Sequence, residues 1–325
     1  MEVAATRLRA ALLATAIAVG VPIVSSTEVS ATPHTGTLQA SLTHPSPSHW
    51  KCGGEGHAKP DGTKWVCTFD DEFNGTALNR KQWTPQLTAN SNFTTGKAPY
   101  QTCYVDNPRT ISVSHGYLHL SVVRTKRFQC TGPTRLGLHI FDFSTQYQAG
   151  EVTTYYGFHQ TYGRFEVRAR MPKAKVRGLQ ETLWLWPTDA TRYGGFPASG
   201  EIDFAEFYSR YADRVIPYLH YAYNPATVSK KTNINIVTDD YTCLLDTTKF
   251  HRYLVVWKPG RITLRYDGKT CLVDNYRPSN VRSPAPFDQP FFLALTQALG
   301  VSGNAPTAKT PIPATKLIDY VRVWK

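Results

Sequence analysis

The chain has no Cys-x-x-Cys pair, no internal repeat and, past its amino-terminal segment, no apolar run long enough to span a membrane. The first absence argues against a redox or zinc-ribbon protein. The other two argue against a repeat-built surface protein and an integral membrane protein. No long amphipathic helix is readable, and no nucleic-acid module either, although Lys and Arg number 36 against 24 Asp and Glu, a formal charge of +12. The Lys and Arg are scattered, so no nucleic-acid partner is expected. A basic exterior favours solubility and would also attract anionic walls or sulfated polysaccharide.

At the amino terminus Arg7 and Arg9 precede an apolar run from Ala10 to Val24, and Val29-Ser30-Ala31 offers small residues for cleavage. This reads as an export signal over residues 1–31, with the mature protein secreted and extracellular and no membrane anchor. Residues 32–49 are rich in Pro, Ser, Thr and His and read as a disordered linker. Residues 50–325 then form one domain, expected to be monomeric. Export gives the six cysteines an oxidising setting, so disulfides are expected over metal. Sequence leaves the pairing open. The nearest-neighbour scheme is Cys52–Cys67, Cys103–Cys130 and Cys243–Cys271, each closing a local loop.

The rest of the chain alternates. In Tyr117 to Val122, and in Arg164 to Met171, polar and apolar residues exchange at each step; Phe165, Val167, Ala169 and Met171 share one face. Lys258-Pro259-Gly260 lies between two strand-like runs and signals a hairpin, and Asp267-Gly268 a second turn. Phe291 to Leu295 is almost wholly apolar, as in a strand buried on both sides. Many short strands with Gly and Pro turns predict an all-β sandwich.

One such run carries chemistry. Gly200-Glu201-Ile202-Asp203-Phe204-Ala205-Glu206 places three carboxylates on what reads as a strand. Alternation puts Glu201 and Asp203 on one face and Glu206 on the other. One extra residue, a β-bulge around Phe204-Ala205, restores Glu206 to the first face. The outer Cα atoms would then lie roughly 13 Å apart, and inward-leaning Glu side chains could bring their carboxyls to about 5–5.5 Å. That separation suits a retaining glycosidase. Like charges on one strand face repel, a cost usually borne only for metal binding or acid–base chemistry.

With this motif the chain resembles the family 16 glycoside hydrolases, in particular the bacterial endo-1,3-β-glucanase (laminarinase-like) branch. The likeness rests on Glu-x-Asp-x-x-Glu after Gly195-Phe196-Pro197-Ala198-Ser199-Gly200, on Asp71-Glu72-Phe73-Asn74-Gly75, on Tyr162-Gly163-Arg164-Phe165-Glu166-Val167-Arg168, on Phe250-His251-Arg252-Tyr253 and on the closing Asp319-Tyr320-Val321-Arg322-Val323-Trp324. It implies a concanavalin A-like β-jelly-roll sandwich with a concave substrate cleft. It implies Glu201 as nucleophile, Glu206 as general acid/base and Asp203 as the group between them. It implies a polysaccharide partner held by Trp184, Phe196, His220, Gln297 and Gln180. No cofactor is implied for catalysis, but a structural calcium is, on Glu72, the Gly116 carbonyl and Asp319.

Two departures bear on substrate. Gln180 and Glu181 stand where relatives carry a Trp-Pro pair, and Phe196 where they carry another Trp. β-1,3-Glucan is the first expectation, with a galactan- or carrageenan-type hydrolase or a transglycosylase on the same scaffold as the alternative. A non-catalytic carbohydrate-binding protein is the alternative of a different class. Such a protein would typically lack one of the carboxylates, and all three are present.

Overall fold

The computed structural model describes residues 51–135, 138–139, 141–222 and 237–325. The expected export signal (1–31) and linker (32–49) lie outside the described residues, as does residue 50 at the expected domain start.

Among the described residues, eleven strands form one sheet, seven form a second, and two short strands make a separate ribbon. The seven-stranded sheet runs Val237–Asp239, Ile216–His220, Glu201–Tyr208, Leu179–Pro187, Phe291–Leu299, Glu151–Thr153, Thr84–Pro85, with antiparallel neighbours throughout. The middle of the larger sheet holds Arg261–Tyr266, His251–Lys258, Gly163–Arg170, Ala314–Trp324 and Tyr117–Thr131. Strand Gly163–Arg170 is followed by Leu179–Pro187 in the other sheet, so the chain crosses between layers as a jelly roll does. The longest helix among the described residues is Thr88–Ser91, in keeping with a sequence that shows no long amphipathic helix.

The alternation read from the sequence decides which face each strand buries. Phe165, Val167, Ala169 and Met171 are at most 1% exposed and face the other layer. Opposite them lie Leu183, Leu185, Ile202, Phe204, Phe207, Leu293 and Leu295, also buried. The layers meet directly: the Trp257 and Phe291 rings are 5.1 Å apart edge to face, and Tyr266 Oη donates across the core to the Phe204 carbonyl at 2.8 Å. Side chains of this size each contribute roughly 1.5–3 kcal/mol by burial, which is what holds two sheets together.

Both expected turns are present. His251–Lys258 pairs with Arg261–Tyr266 through Pro259-Gly260, and Gly260 has φ +72°. Asp267 and Gly268 both have positive φ, as a two-residue hairpin turn requires. The disulfides are Cys52–Cys67, Cys103–Cys130 and Cys243–Cys271, the nearest-neighbour scheme.

Two of the three expected calcium ligands are engaged elsewhere. The Glu72 carboxylate accepts from Arg322 Nε at 2.8 Å and Nη2 at 3.0 Å. Asp319 accepts from Arg168 Nη1. Gly116 sits at the turn between Ile111–Ser114 and Tyr117–Thr131 with φ +77°. Calcium takes six to eight oxygen ligands. A donor set whose two carboxylates are both already neutralised by guanidinium groups does not fit it as arranged, and no role is assigned to the ion.

Candidate active site

The bulge expected at Phe204-Ala205 is in the backbone. Between Asp203 and Glu206 the strand advances three residues while its neighbour advances two, from Tyr218 to Ile216. On the other side Ala205 pairs with Leu183 and Asp203 with Trp184, which leaves Phe204 as the extra residue. Phe204 and Ala205 both turn into the core at 0% exposure, and Glu206 returns to the face of Glu201 and Asp203. The Tyr266 hydroxyl caps the bulged Phe204 carbonyl, which satisfies a buried acceptor at the irregularity.

This open face of the smaller sheet carries the site. Asp203 is 2% exposed, while Glu201 and Glu206 are half-buried. Glu201, Asp203 and His220 each bring one polar atom within 4.8 Å of the others. His220 pairs in register with Glu201 and sets its Nε2 3.2 Å from Asp203 Oδ2. The Glu201 and Asp203 carboxyls face each other within 4.8 Å, so a proton held by one of them relieves their repulsion.

Glu206 is held differently. Gln180 Nε2 donates to its Oε1 at 3.2 Å and Thr182 Oγ1 to the same oxygen at 3.1 Å. The Tyr208 hydroxyl donates to Oε2. Gln180 and Thr182 reach it because they pair across the ladder with Tyr208 and Glu206.

Burial raises all three acids, and repulsion between carboxylates adds to it at Glu201 and Glu206. Burial leads at Glu201, followed by the charges of Asp203 and Glu206. At Asp203 burial is opposed by the hydrogen bond from His220. Burial and the Asp203 charge push Glu206 up to about 7, against the hydrogen bonds of Tyr208 and Thr182. An acid at that value can give up a proton and take one back near neutral pH.

Aromatic groups flank the acids. Trp184 is half-buried, pairs with Asp203 and donates its indole N–H to Thr296 Oγ1 at 2.8 Å. Thr296 in turn donates to Glu151 Oε2 at 2.8 Å. Trp184 and Trp186 share this face, so neither is the core residue of Leu183-Trp184-Leu185-Trp186; Leu183 and Leu185 are, at 0% exposure. Phe196 stacks on Trp186 with centroids 6.2 Å apart and packs against His220 at 5.4 Å. Beyond Glu206 lie Tyr208, Tyr211, Tyr218 and Tyr241, with Tyr218 and Tyr241 joined through their hydroxyls at 2.7 Å.

Seven of the eight expected catalytic and binding residues therefore converge: Glu201, Asp203, Glu206, Trp184, Phe196, His220 and Gln180. Gln297 does not. It is 0% exposed and pairs with Glu181 on the core face, where its Nε2 donates to the Glu181 carboxyl. Alternation gives the cleft face to Thr296 and the core face to Gln297. The sequence reading missed Tyr208, Thr182, Thr296 and Glu151. Tyr208 was reachable, since it lies two residues past Glu206 on the same face; the others become visible only through cross-strand register.

A two-layer β-sandwich whose open face carries paired carboxylates between aromatic walls is the framework of a polysaccharide-cleaving glycosidase. The family model for glycosyl hydrolases family 16 matches residues 106–311, and the chain belongs to that family. It is 31% identical over 272 residues to glucan endo-1,3-β-glucosidase A1 of Niallia circulans, covering 79% of this chain and 37% of that protein. It is 32% identical over 180 residues to keratan-sulfate endo-1,4-β-galactosidase of Sphingobacterium multivorum, covering 55% of this chain and 40% of that one. The chain thus spans well under half the length of these two relatives. A solved structure from work on endo-acting O-glycanases of the human gut microbiota that initiate mucin breakdown superposes with a TM-score of 0.64 at 27% identity, covering 83% of this chain and 93% of that one.

Proposed function

We propose that the protein is a secreted, retaining endo-glycosidase that cuts β-1,3-glucan by double displacement. The observation that carries this reading is the bulge at Phe204, which brings Glu201 and Glu206 onto one face with Asp203 between them. Likeness to a glucan endo-1,3-β-glucosidase supports the linkage, and three disulfides with no membrane-spanning helix among the described residues support export.

In the first step Glu206 donates its proton to the leaving oxygen while the Glu201 carboxylate attacks the anomeric carbon. The C–O bond to the departing chain breaks and an ester to Glu201 forms. With Glu201 ionised, a proton held by this cluster resides on Asp203, which then donates a hydrogen bond to the nucleophile. In the second step Glu206, now a carboxylate, takes a proton from water, whose oxygen attacks the same carbon and releases Glu201. Two inversions retain the β configuration. Trp184 and Trp186 offer flat faces to the sugar rings, and the Thr296 hydroxyl fixes the Trp184 indole.

A second reading is favoured by Gln180 and Phe196, which replace aromatic platforms with a smaller one and a polar one. A β-galactan, plain or sulfated, then occupies the same cleft, as the name of the keratan-sulfate relative suggests. The test is reducing-end release by residues 32–325 from laminarin, mixed-linkage glucan, cellulose, xylan, agarose and carrageenan, with Glu201→Gln as the blank. Release from laminarin supports the first reading, and release only from a galactan supports the second. Binding without release from any polymer contradicts the hydrolase and points to a lectin-like role.

A further inference from the structure

Arg170-Met171-Pro172-Lys173-Ala174-Lys175-Val176-Arg177 carries the chain from the larger sheet to the cleft sheet. Met171, Pro172 and Ala174 are buried, and Arg170, Lys173, Lys175 and Arg177 are exposed. Anchoring of the small and apolar residues thus turns four cations outward from a short segment that contains no acid.

Two more cations border the same end of the sandwich. Thr310 Oγ1 donates to the Arg177 carbonyl at 2.7 Å, next to exposed Lys309. Asn304 Oδ1 accepts from the backbone N–H of Gly178 at 3.3 Å and of Arg210 at 3.1 Å, which ties Arg210 to the same loop. A groove of about 410 Å³ runs here, lined by Arg170, Lys173, Thr248, Thr315, Pro311 and Pro313 among others.

Among the described residues, none of these six cations lies within ion-pair distance of a carboxylate. Five arginines elsewhere are paired: Arg80 with Asp106, Arg164 with Glu166, Arg168 with Asp319, Arg214 with Asp213, and Arg322 with Glu55 and Glu72. A surface charged for solubility alone carries both signs interspersed. Four exposed cations within eight residues, with no acid among them, raise the local concentration of an anionic polymer, and two of them, Arg170 and Lys173, also line the groove. The rim adjoins the Glu206 end of the cleft, where Leu179 N–H donates to Ser209 Oγ at 2.9 Å and Gln180 pairs with Tyr208.

We propose that this rim binds acidic polysaccharide, a chain bearing sulfate esters or carboxylates, beside the Glu206 end of the cleft. Such a chain is either the polymer being cut or the charged matrix in which that polymer is embedded. The site does not depend on which linkage the cleft hydrolyses.

Binding of carrageenan, polygalacturonate, laminarin and double-stranded DNA is measured with the Glu201→Gln protein and with the same protein carrying Lys173→Ala, Lys175→Ala and Arg177→Ala. The rim predicts binding to one or both acidic polysaccharides, weakened about tenfold or more by the triple substitution and by raised salt, with laminarin affinity unchanged. Retention by carrageenan alone assigns sulfate esters, and by polygalacturonate alone carboxylates. Equal affinity of the triple variant for the acidic polymers overturns the site. DNA bound as tightly as the acidic polysaccharides, and lost equally, overturns it too and marks a general polyanion surface. The substituted side chains are exposed, and an unchanged thermal transition shows that the variant is folded.

Discussion

Tyr208 donates its hydroxyl to Oε2 of Glu206, two residues earlier on the same strand and past the bulge. The phenol is kept protonated by burial and by the neighbouring carboxyl, so it acts as a donor. Gln180 and Thr182 occupy Oε1. In the proposed mechanism Oε2, with one hydrogen-bond partner against two at Oε1, is the oxygen that exchanges the proton.

Tyr208→Phe removes a hydrogen bond that favours the Glu206 carboxylate. Its pKa then rises above about 7, and the alkaline limb of the kcat/KM profile moves to higher pH. A hydrogen bond to a charged group is worth about 1.5 kcal/mol, which corresponds to a shift of about one pH unit. The pH–rate profile on any cleaved polymer reads this directly, and an alkaline limb that stays in place would separate Tyr208 from the proton transfer.

Thr296→Val deprives the Trp184 indole N–H and the Glu151 carboxyl of their shared partner. The platform loosens, so KM rises several-fold while kcat changes little, as expected when binding common to ground and transition states is lost. Unfolding shows a stability loss of about 1–3 kcal/mol for the two buried groups left unpaired. A fall in kcat at constant KM would place Thr296 in the chemical step instead.

Glu151 and Glu181 are pushed up from 4.5 to about 8 chiefly by burial, and Lys316 down from 10.5 to about 7 for the same reason. A carboxyl raised in the folded state holds more protons folded than unfolded, so its stabilising contribution is full below about pH 4.5 and is lost as pH rises toward 8. Lys316 acts in the opposite sense, recovering stability only between pH 7 and 10.5. Between pH 5 and 7 the carboxyls dominate and Tm falls. The Glu151→Gln, Glu181→Gln protein shows a shallower fall over that range. Parallel Tm curves for the two proteins would mean these groups titrate normally.

Gln297 lies in the core, so Gln297→Leu leaves the Glu181 carboxyl without its donor. Stability drops by about 1–3 kcal/mol and KM is unchanged. A raised KM at unchanged Tm would return Gln297 to the cleft.

What the sequence shows and hides follows from distance along the chain. The bulge is legible because three acids and three apolar residues in one short run allow only one arrangement with all acids on a face. The disulfides are legible because each closes a local loop. Gln297 was expected in the cleft from the family resemblance, and its face is set instead by register with Leu179–Pro187, which a single strand read alone does not show. Glu151 and Lys316 were invisible for the same reason. Lys316 reaches from the larger sheet to the carbonyls of Thr182 at 3.1 Å and Thr296 at 2.8 Å beneath the cleft floor, a contact no local pattern encodes. The calcium ligands were expected from the family resemblance, and Arg168 and Arg322, which occupy two of them, enter only once neighbouring strands are paired.

The most direct measurement is the configuration of the first product. Proton NMR of the new reducing end, recorded in the first minutes on whichever polymer is cut, distinguishes one displacement from two. Double displacement through Glu201 predicts the β-anomer first, with the α-anomer appearing only by mutarotation. An α-anomer formed first would contradict the covalent intermediate and the roles assigned to Glu201 and Glu206.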